Sequence, residues 1–197
     1  MLFDLGEVFF IIDNKKLDEE LIKKTGVSIK PSTGKHFQFY VDFVEGKISI
    51  EKYFDNLRKA VNSNATIETL RKVYSDAYIK YSVIDKSMVE LAKELKKNYK
   101  LFCITNTNLL HKNINEEKGL FDIFERVFSS TESKRLKNAH WFRDILTELN
   151  LSEEECIFID DLSENISQAR EAGINSIQFT DRESLVRSLA EYNILIK

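Results

Sequence analysis

Apolar positions in the first twelve residues fall into two short runs, MLF and VFFII, separated by a polar turn at residues 4–7. Runs of this length predict strands. From residue 13 to about residue 81 the apolar period lengthens to that of helices. Residues 18–24 read as the body of a first short helix that Gly26 ends, and residues 36–44 as a second that stops near Gly46. A third starts at Ser49, with Glu51 in its first turn and Ile50, Tyr53, Phe54 and Leu57 at helical spacing. Thr66 opens a fourth, whose apolar face is Ile67, Leu70, Val73, Tyr74 and Ala77. The segment therefore reads as an all-helical insert of residues 13–82, with no strand expected inside it.

After Ile84 helix and strand alternate strictly. Helical stretches at residues 87–97, 109–117, 138–149, 163–172 and 183–192 are separated by the apolar runs LFCI, RVFSS, CIFI and SIQF. Apolar strands of four or five residues between helices are the pattern of a parallel sheet buried on both faces. The expected fold is α/β: a Rossmann-like, doubly wound parallel sheet formed by residues 1–12 and 83–197, carrying the helical insert. Only three residues precede Asp4, so the first strand is expected to be frayed at its start or to begin upstream.

Composition narrows the partners. With 29 Lys+Arg against 32 Asp+Glu, the net charge of −3 gives no electrostatic reason to expect nucleic acid or an anionic membrane. The longest apolar stretch, residues 8–12, is far below the roughly 20 residues of a membrane span, and no secretion signal is read. Cys103 and Cys156 each sit in an apolar run and read as free, buried thiols, which suits a reducing cytoplasm. His36, His111 and His140 lack a second soft ligand at zinc-like spacing.

Chemistry in doubly wound sheets sits at the carboxyl ends of the strands. Those positions hold Asp4 after the first strand, Thr105 and Asn106 after LFCI, Ser129 and Ser130 after VF, and Asp160 with Asp161 after CIFI. Carboxylates that close do not all stay ionised in a dry cleft without a cation, and Mg²⁺ suits a few carboxylates plus a phosphate.

The segments FDLGEV, ITN (104–106) and FIDDLSEN (158–165), in this order and each at a strand end, resemble the first, second and fourth motifs of the haloacid dehalogenase (HAD) superfamily. The similarity is greatest to its small phosphatases, which carry a helical cap after the first strand, and it covers essentially the whole chain. The resemblance implies a Mg²⁺-dependent phosphatase that acts through an aspartyl-phosphate on a small phosphorylated metabolite, a sugar phosphate or nucleotide. It implies Asp4 as nucleophile, with Mg²⁺ held by Asp4, the Gly6 carbonyl and Asp160 or Asp161. Thr105 and Asn106 would bind the phosphoryl oxygens, and Asn165 would support the acidic pair. Cap residues choose the substrate in such proteins, and Tyr40 and His36 are the candidates for facing the site. No nucleic-acid or membrane partner is implied, and the state is monomer or homodimer.

Three positions depart from the family pattern. Gly6 stands where many family phosphatases keep a second Asp as general acid, although some members more similar to this chain also have Gly; such help is usually worth ~10²–10⁴ in rate. Glu7 replaces a Gly or Asn beside the phosphate, where its carboxylate would either repel a dianion or turn away and cap the linker backbone. The Lys-Pro of the third motif is absent, because Pro31 is the only proline. A gapless match puts Leu136 at the Lys position; Lys137 takes the role if the loop is one residue shorter, and Lys134 is a weaker substitute. Two other functions compete: a ligand- or partner-binding protein that has lost catalysis, and a metal-free 2-haloacid dehalogenase, against which the paired Asp160 and Asp161 count. An ammonium within reach of Asp4 discriminates enzyme from binding protein.

Overall fold

The computed structural model describes residues 1–30 and 35–196, with the backbone alone for Lys35 and His36. Its elements follow in chain order as β1 (Leu2–Phe3), β2 (Phe10–Ile12), α1 (Asn14–Thr25), α2 (Lys35–Val44), α3 (Ile50–Ala60), α4 (Ile67–Tyr81) and β3 (Ser82–Ile84). There follow α5 (Lys86–Leu95), β4 (Phe102–Thr105), α6 (Leu109–Glu117), β5 (Arg126–Ser129) and the single turn α7 (Ser130–Ser133). The chain continues with α8 (Ala139–Leu149), β6 (Ile157–Asp160), α9 (Ser163–Glu171), β7 (Asn175–Gln178) and α10 (Arg182–Glu191).

Five strands form one sheet in the order β5-β4-β1-β6-β7, every neighbouring pair parallel. Successive residues of a strand face opposite ways, so a strand buried on both sides must be apolar throughout. Leu2, Phe102, Ile104 and Phe158 pack against Phe142 and Ile145 of α8 and Ile166 and Ala169 of α9. Their neighbours Phe3, Cys103 and Ile159 share the other core with Met88 and Leu91 of α5 and Leu185 and Leu189 of α10. Each fully buried side chain of this size stabilises the fold by about 1.5–3 kcal/mol before entropy is counted. Both cysteines are free and buried. The start of β1 is not frayed: the Met1 ammonium donates to the Lys100 carbonyl at 2.6 Å, and Phe102 N–H donates to the Met1 carbonyl at 2.9 Å.

Helices α1–α4 lie between β2 and β3. Ser49 and Thr66, read as starts, are the N-caps of α3 and α4, accepting from the N–H groups of Lys52 and Thr69. The expectation that no strand occurs in residues 13–82 is corrected at its end. Ser82–Ile84 pairs antiparallel with Phe10–Ile12, in register Phe10↔Ile84, Ile11↔Val83 and Ile12↔Ser82. The run VFFII announces the first of these strands, but Ser82–Ile84 is too short to announce the second; the pairing exists because the two connections of the insert leave the sheet side by side. No described helix is long and apolar enough to cross a membrane.

The insert is also fastened to the core at a second place. Ser130 Oγ donates to the Val44 carbonyl at the end of α2 (2.8 Å), and Lys134 Nζ donates to the Gly46 carbonyl (2.6 Å). Gly46 has a φ of +63°, and a Cβ there would lie 2.5 Å from the Thr131 carbonyl oxygen, so the close approach requires glycine.

Candidate active site

The carboxyl edge of the sheet gathers residues from three adjacent strands. Asp4 follows β1 and is anchored by its N–H, which donates to the Ile159 carbonyl at 2.8 Å. Asp160 ends β6 and is fully buried, with Asp161 beside it, half-buried. Carboxylate oxygens of Asp4, Asp160 and Asp161 lie within 4.8 Å of one another. Between them sits the ammonium of Lys137, which donates to Asp4 Oδ1 and, at 2.7 Å, to Asp160 Oδ2. The Lys137 side chain is 1% exposed, so these are ion pairs removed from water.

Each group is held by neighbours. Asn165, in the first turn of α9, donates to both Asp160 oxygens at 3.0 Å, and Leu162 N–H donates to Asp160 Oδ1 at 2.8 Å. Asn106 follows β4, and its Oδ1 accepts the backbone N–H of Lys137 at 3.0 Å. Thr105 is the buried last residue of β4, opposite Ser129 of β5.

Three carboxylates facing one ammonium leave an excess of negative charge in a buried pocket. Burial pushes the Asp4 carboxyl up from 3.8 to about 6, with Lys137 resisting and Asp160 adding to the rise. Burial and then Asp160 raise Asp161 as well. For Lys137, burial alone would lower the pKa, but Asp4 and Asp160 outweigh it and hold the ammonium above its ordinary value. The donor set is three hard oxygens with unneutralised charge, which fits a divalent cation such as Mg²⁺. Asp4, Asp160 and Asp161 would hold it.

The loop that delivers Lys137 differs from a Lys-Pro loop in its backbone. Lys134 adopts a left-handed conformation with φ +61°, which turns the chain after α7 and directs Lys134 away from Asp4 to the Gly46 carbonyl. Lys134 as the substitute cation is thereby corrected. Asn138 is the N-cap of α8 at φ −156°, accepting from Trp141 N–H at 3.0 Å while its Nδ2 donates to the Leu136 carbonyl at 2.8 Å. A proline ring, fixed near φ −65°, does not fit there.

Glu7 has φ +54°, a left-handed conformation that favours Gly or Asn. Its side chain turns to the linker, where Oε1 accepts Ile12 N–H at 3.3 Å; its charge adds to the rise of Asp161 as the smallest contribution named. At Gly6 a Cβ would meet only Asp4 Oδ2, at 3.9 Å, so the backbone leaves room for a side chain.

A cleft of about 350 Å³ opens between the insert and the loop after β4, with Tyr40, Val44 and Tyr74 from one side and Asn106, Thr107 and His111 from the other. Tyr40 lines this cleft together with Asn106. The side chain of His36 lies outside the described residues. Beside Ser130, which stands at the end of β5 as the strand ends predict, the structure brings Asn108 and His111 to this edge. Asn108 is the N-cap of α6, and Ser130 Oγ accepts Thr107 N–H at 2.9 Å, tying the ends of β4 and β5 together. The signal for Asn108 is a cap residue opening a predicted helix; nothing local in the sequence marks His111.

A parallel Rossmann-like sheet with an acidic carboxyl edge, paired in part by one buried lysine, defines the class. The chain belongs to the haloacid dehalogenase-like hydrolases, whose family model matches residues 1–179. It is similar to the D-ribitol-5-phosphate phosphatase of Bacteroides thetaiotaomicron, 23% identical over 188 residues that cover 90% of each chain. It is also similar to the sesquiterpene phosphatase astK of Aspergillus oryzae, 25% identical over 187 residues covering 91% of this chain and 89% of that one. Among solved structures, a HAD family enzyme of Bacteroides thetaiotaomicron crystallised with magnesium superposes with a TM-score of 0.81 at 22% identity, covering 94% of this chain and 96% of that one. A HAD-like hydrolase from Porphyromonas gingivalis gives 0.81 at 20% identity, over 98% and 96%.

Proposed function

We propose that the protein is a Mg²⁺-dependent phosphatase that hydrolyses a small phosphorylated metabolite through an aspartyl-phosphate, with residues 13–82 acting as a cap over the core. The observation that carries this reading is the buried Lys137 ammonium on both Asp4 and Asp160, at the edge where Asp161 completes an acidic triad. Relatives named as phosphatases support the reaction class.

In the first step a carboxylate oxygen of Asp4 bonds to phosphorus, the bond from phosphorus to the leaving oxygen breaks, and that oxygen takes a proton from water. In the second, water attacks phosphorus, the bond to Asp4 breaks, and inorganic phosphate leaves with Asp4 regenerated as a carboxylate. Splitting one displacement into two lowers the barrier of each. Lys137 holds Asp4 ionised and opposes the charge of the incoming phosphoryl group. Thr105 and the Asn106 amide nitrogen bind phosphoryl oxygens, and Asn165 keeps Asp160 fixed. Bound Mg²⁺ neutralises charge that develops on the phosphoryl oxygens. Gly6 supplies no proton, so water or the substrate does. Glu7, turned to Ile12, does not block a dianion. Two free buried thiols and the charge balance suit a cytoplasmic protein without nucleic-acid or membrane partners.

The test is hydrolysis of an aryl phosphate with and without Mg²⁺, beside Asp4→Asn. Turnover that needs both metal and Asp4 supports the reading. Equal inertness of wild type and variant on that probe and on a panel of sugar and nucleotide phosphates would sink it, in favour of a ligand-binding protein of the same fold.

A further inference from the structure

The cleft beside Asn106, at about 350 Å³, is at the lower end of the range occupied by small organic ligands and far exceeds the needs of phosphate alone. Its buried and exposed parts differ in chemistry. Val44 and Tyr74 are 5% and 4% exposed, and with Ile29, Tyr40 and the imidazole of His111 they make a wall that is mostly flat or apolar. This wall is uncharged at neutral pH. Burial raises the Tyr74 hydroxyl well above 10 and lowers His111 to about 3, with Lys118 adding to the latter. His111 is further fixed by stacking on Tyr78 and Tyr74, with ring centroids 3.6 and 5.1 Å away.

At the exposed rim stand Lys15 and Lys30, and among the described residues no carboxylate lines the cleft. Lys15 lies 3.9 Å from Glu19 with both side chains more than half exposed, a pair too weak to hold the ammonium in place. In a chain of net charge −3, a cleft whose described lining holds two cations and no anion is a local reversal of sign.

We infer that the cleft selects phosphomonoesters whose leaving group has a flat, apolar body and carries a second anionic group. This inference rests on the phosphatase reading, because Asn106 both lines the cleft and holds Lys137 against Asp4. The flat body replaces water on Tyr40, Tyr74 and Val44. The second anion meets Lys15 and Lys30. The cleft's polar side chains are partly committed, Asn106 Oδ1 to Lys137 N–H and Asn108 Oδ1 to His111 N–H, so an open-chain polyol would gain less from them than a flat body gains on Tyr40, Tyr74 and Val44.

The experiment measures binding rather than turnover, so that it survives a failure of catalysis. Dissociation constants are determined by calorimetry in Mg²⁺ at pH 7.5 for benzylphosphonate, 4-carboxybenzylphosphonate and 3,4-dihydroxybutylphosphonate. Benzylphosphonate is expected to bind about 10-fold more tightly than the polyol analogue, and the added carboxylate to contribute a further factor of about 5 that shrinks in high salt. Lys15→Gln with Lys30→Gln should erase the carboxylate's factor and leave benzylphosphonate unchanged. Tyr40→Ala should weaken both aryl ligands and spare the polyol. Equal binding of aryl and polyol, no gain from the carboxylate, a gain that persists in the double variant, or no binding at all overturns the inference. If the predicted order holds while no phosphate ester is turned over, the catalytic reading fails and the cleft assignment stands. If aryl phosphates are turned over but the order fails, the reverse is true.

Discussion

The side-chain oxygen of Asn106 accepts the backbone N–H of Lys137 at 3.0 Å, so the end of one strand fixes where the next loop delivers its cation. Lys137 in turn is the sole ammonium shown on Asp4 and Asp160 among the described residues. Lys137→Met should leave two buried carboxylates unpaired, which costs about 3–5 kcal/mol. Thermal denaturation in EDTA is expected to show that loss and millimolar Mg²⁺ to restore part of it, while turnover falls by at least about 10². A variant that keeps wild-type stability in EDTA would show that the two carboxylates do not depend on this ammonium.

Asn106→Ala tests the same link at one remove. Losing one buried hydrogen bond costs about 0.5–1.5 kcal/mol. If Asn106 positions Lys137, kcat falls about 10-fold or more and the upper limb of the pH–rate profile, where the ammonium deprotonates, moves to lower pH. A change in KM with an unmoved profile would assign Asn106 to phosphate binding alone.

Asp4 bears a cost that its chemistry explains. Its folded pKa, about 6, lies above the usual 3.8, so its favourable contribution to stability is present below about pH 3.8 and is lost as pH rises through 6. A rise of this size corresponds to an upper limit of about 3 kcal/mol at neutral pH. Asp4→Asn removes that cost and leaves Lys137 paired with Asp160. We expect the metal-free variant to melt several degrees above wild type at pH 7.5, with the gap about halved at pH 5 and closing only towards pH 3.8, and to have no turnover. A variant less stable than wild type at pH 7.5 and at pH 5 would contradict the direction of the Asp4 shift.

The sheet was legible because Phe158 and Ile159, or Phe102 and Cys103, face opposite ways into two dry cores and so leave apolar runs that end at chemistry. Asp4, Asp160 and Asn106 follow from those ends. The pairing of Phe10–Ile12 with Ser82–Ile84 was not legible, since each segment is three residues long and its partner lies some seventy residues away. The reach of Lys137 was left open for a different reason. It depends on a left-handed Lys134 and on the bond from Asn106, neither of which a motif register counts. Lys134 and Lys137 look alike as lysines in a polar loop, and only the turn between them sends one to Gly46 and the other to Asp4.

Gly6 offers a gain-of-function test. The position has room for a Cβ at 3.9 Å from Asp4 Oδ2 and no positive φ to forbid one. Gly6→Asp would place a carboxyl group where it can protonate the leaving oxygen. For substrates with poor leaving groups, alkyl phosphates, kcat should rise by up to about 10², within the usual range for general acid help, with little change for aryl phosphates whose leaving oxygen needs no proton. An equal effect on both would indicate altered metal binding instead.

Asn138 shows why restoring the family's Lys-Pro would be harmful in this chain. Its φ of −156° lies about 90° from the value that the proline ring imposes. Its side chain also satisfies Trp141 N–H at the start of α8 and holds the Leu136 carbonyl, so it shapes the residues on both sides of Lys137. Asn138→Ala removes the cap alone and should cost about 1 kcal/mol with modest loss of turnover. Asn138→Pro must rotate the backbone next to Lys137 as well, and should cost about 3 kcal/mol and lower kcat at least 10-fold more than Asn138→Ala. Asn138→Asp, which keeps an acceptor for Trp141, should melt near wild type. If Asn138→Pro were as stable and active as Asn138→Ala, the loop would tolerate the proline geometry, and the one-residue displacement of the lysine would have no backbone cause.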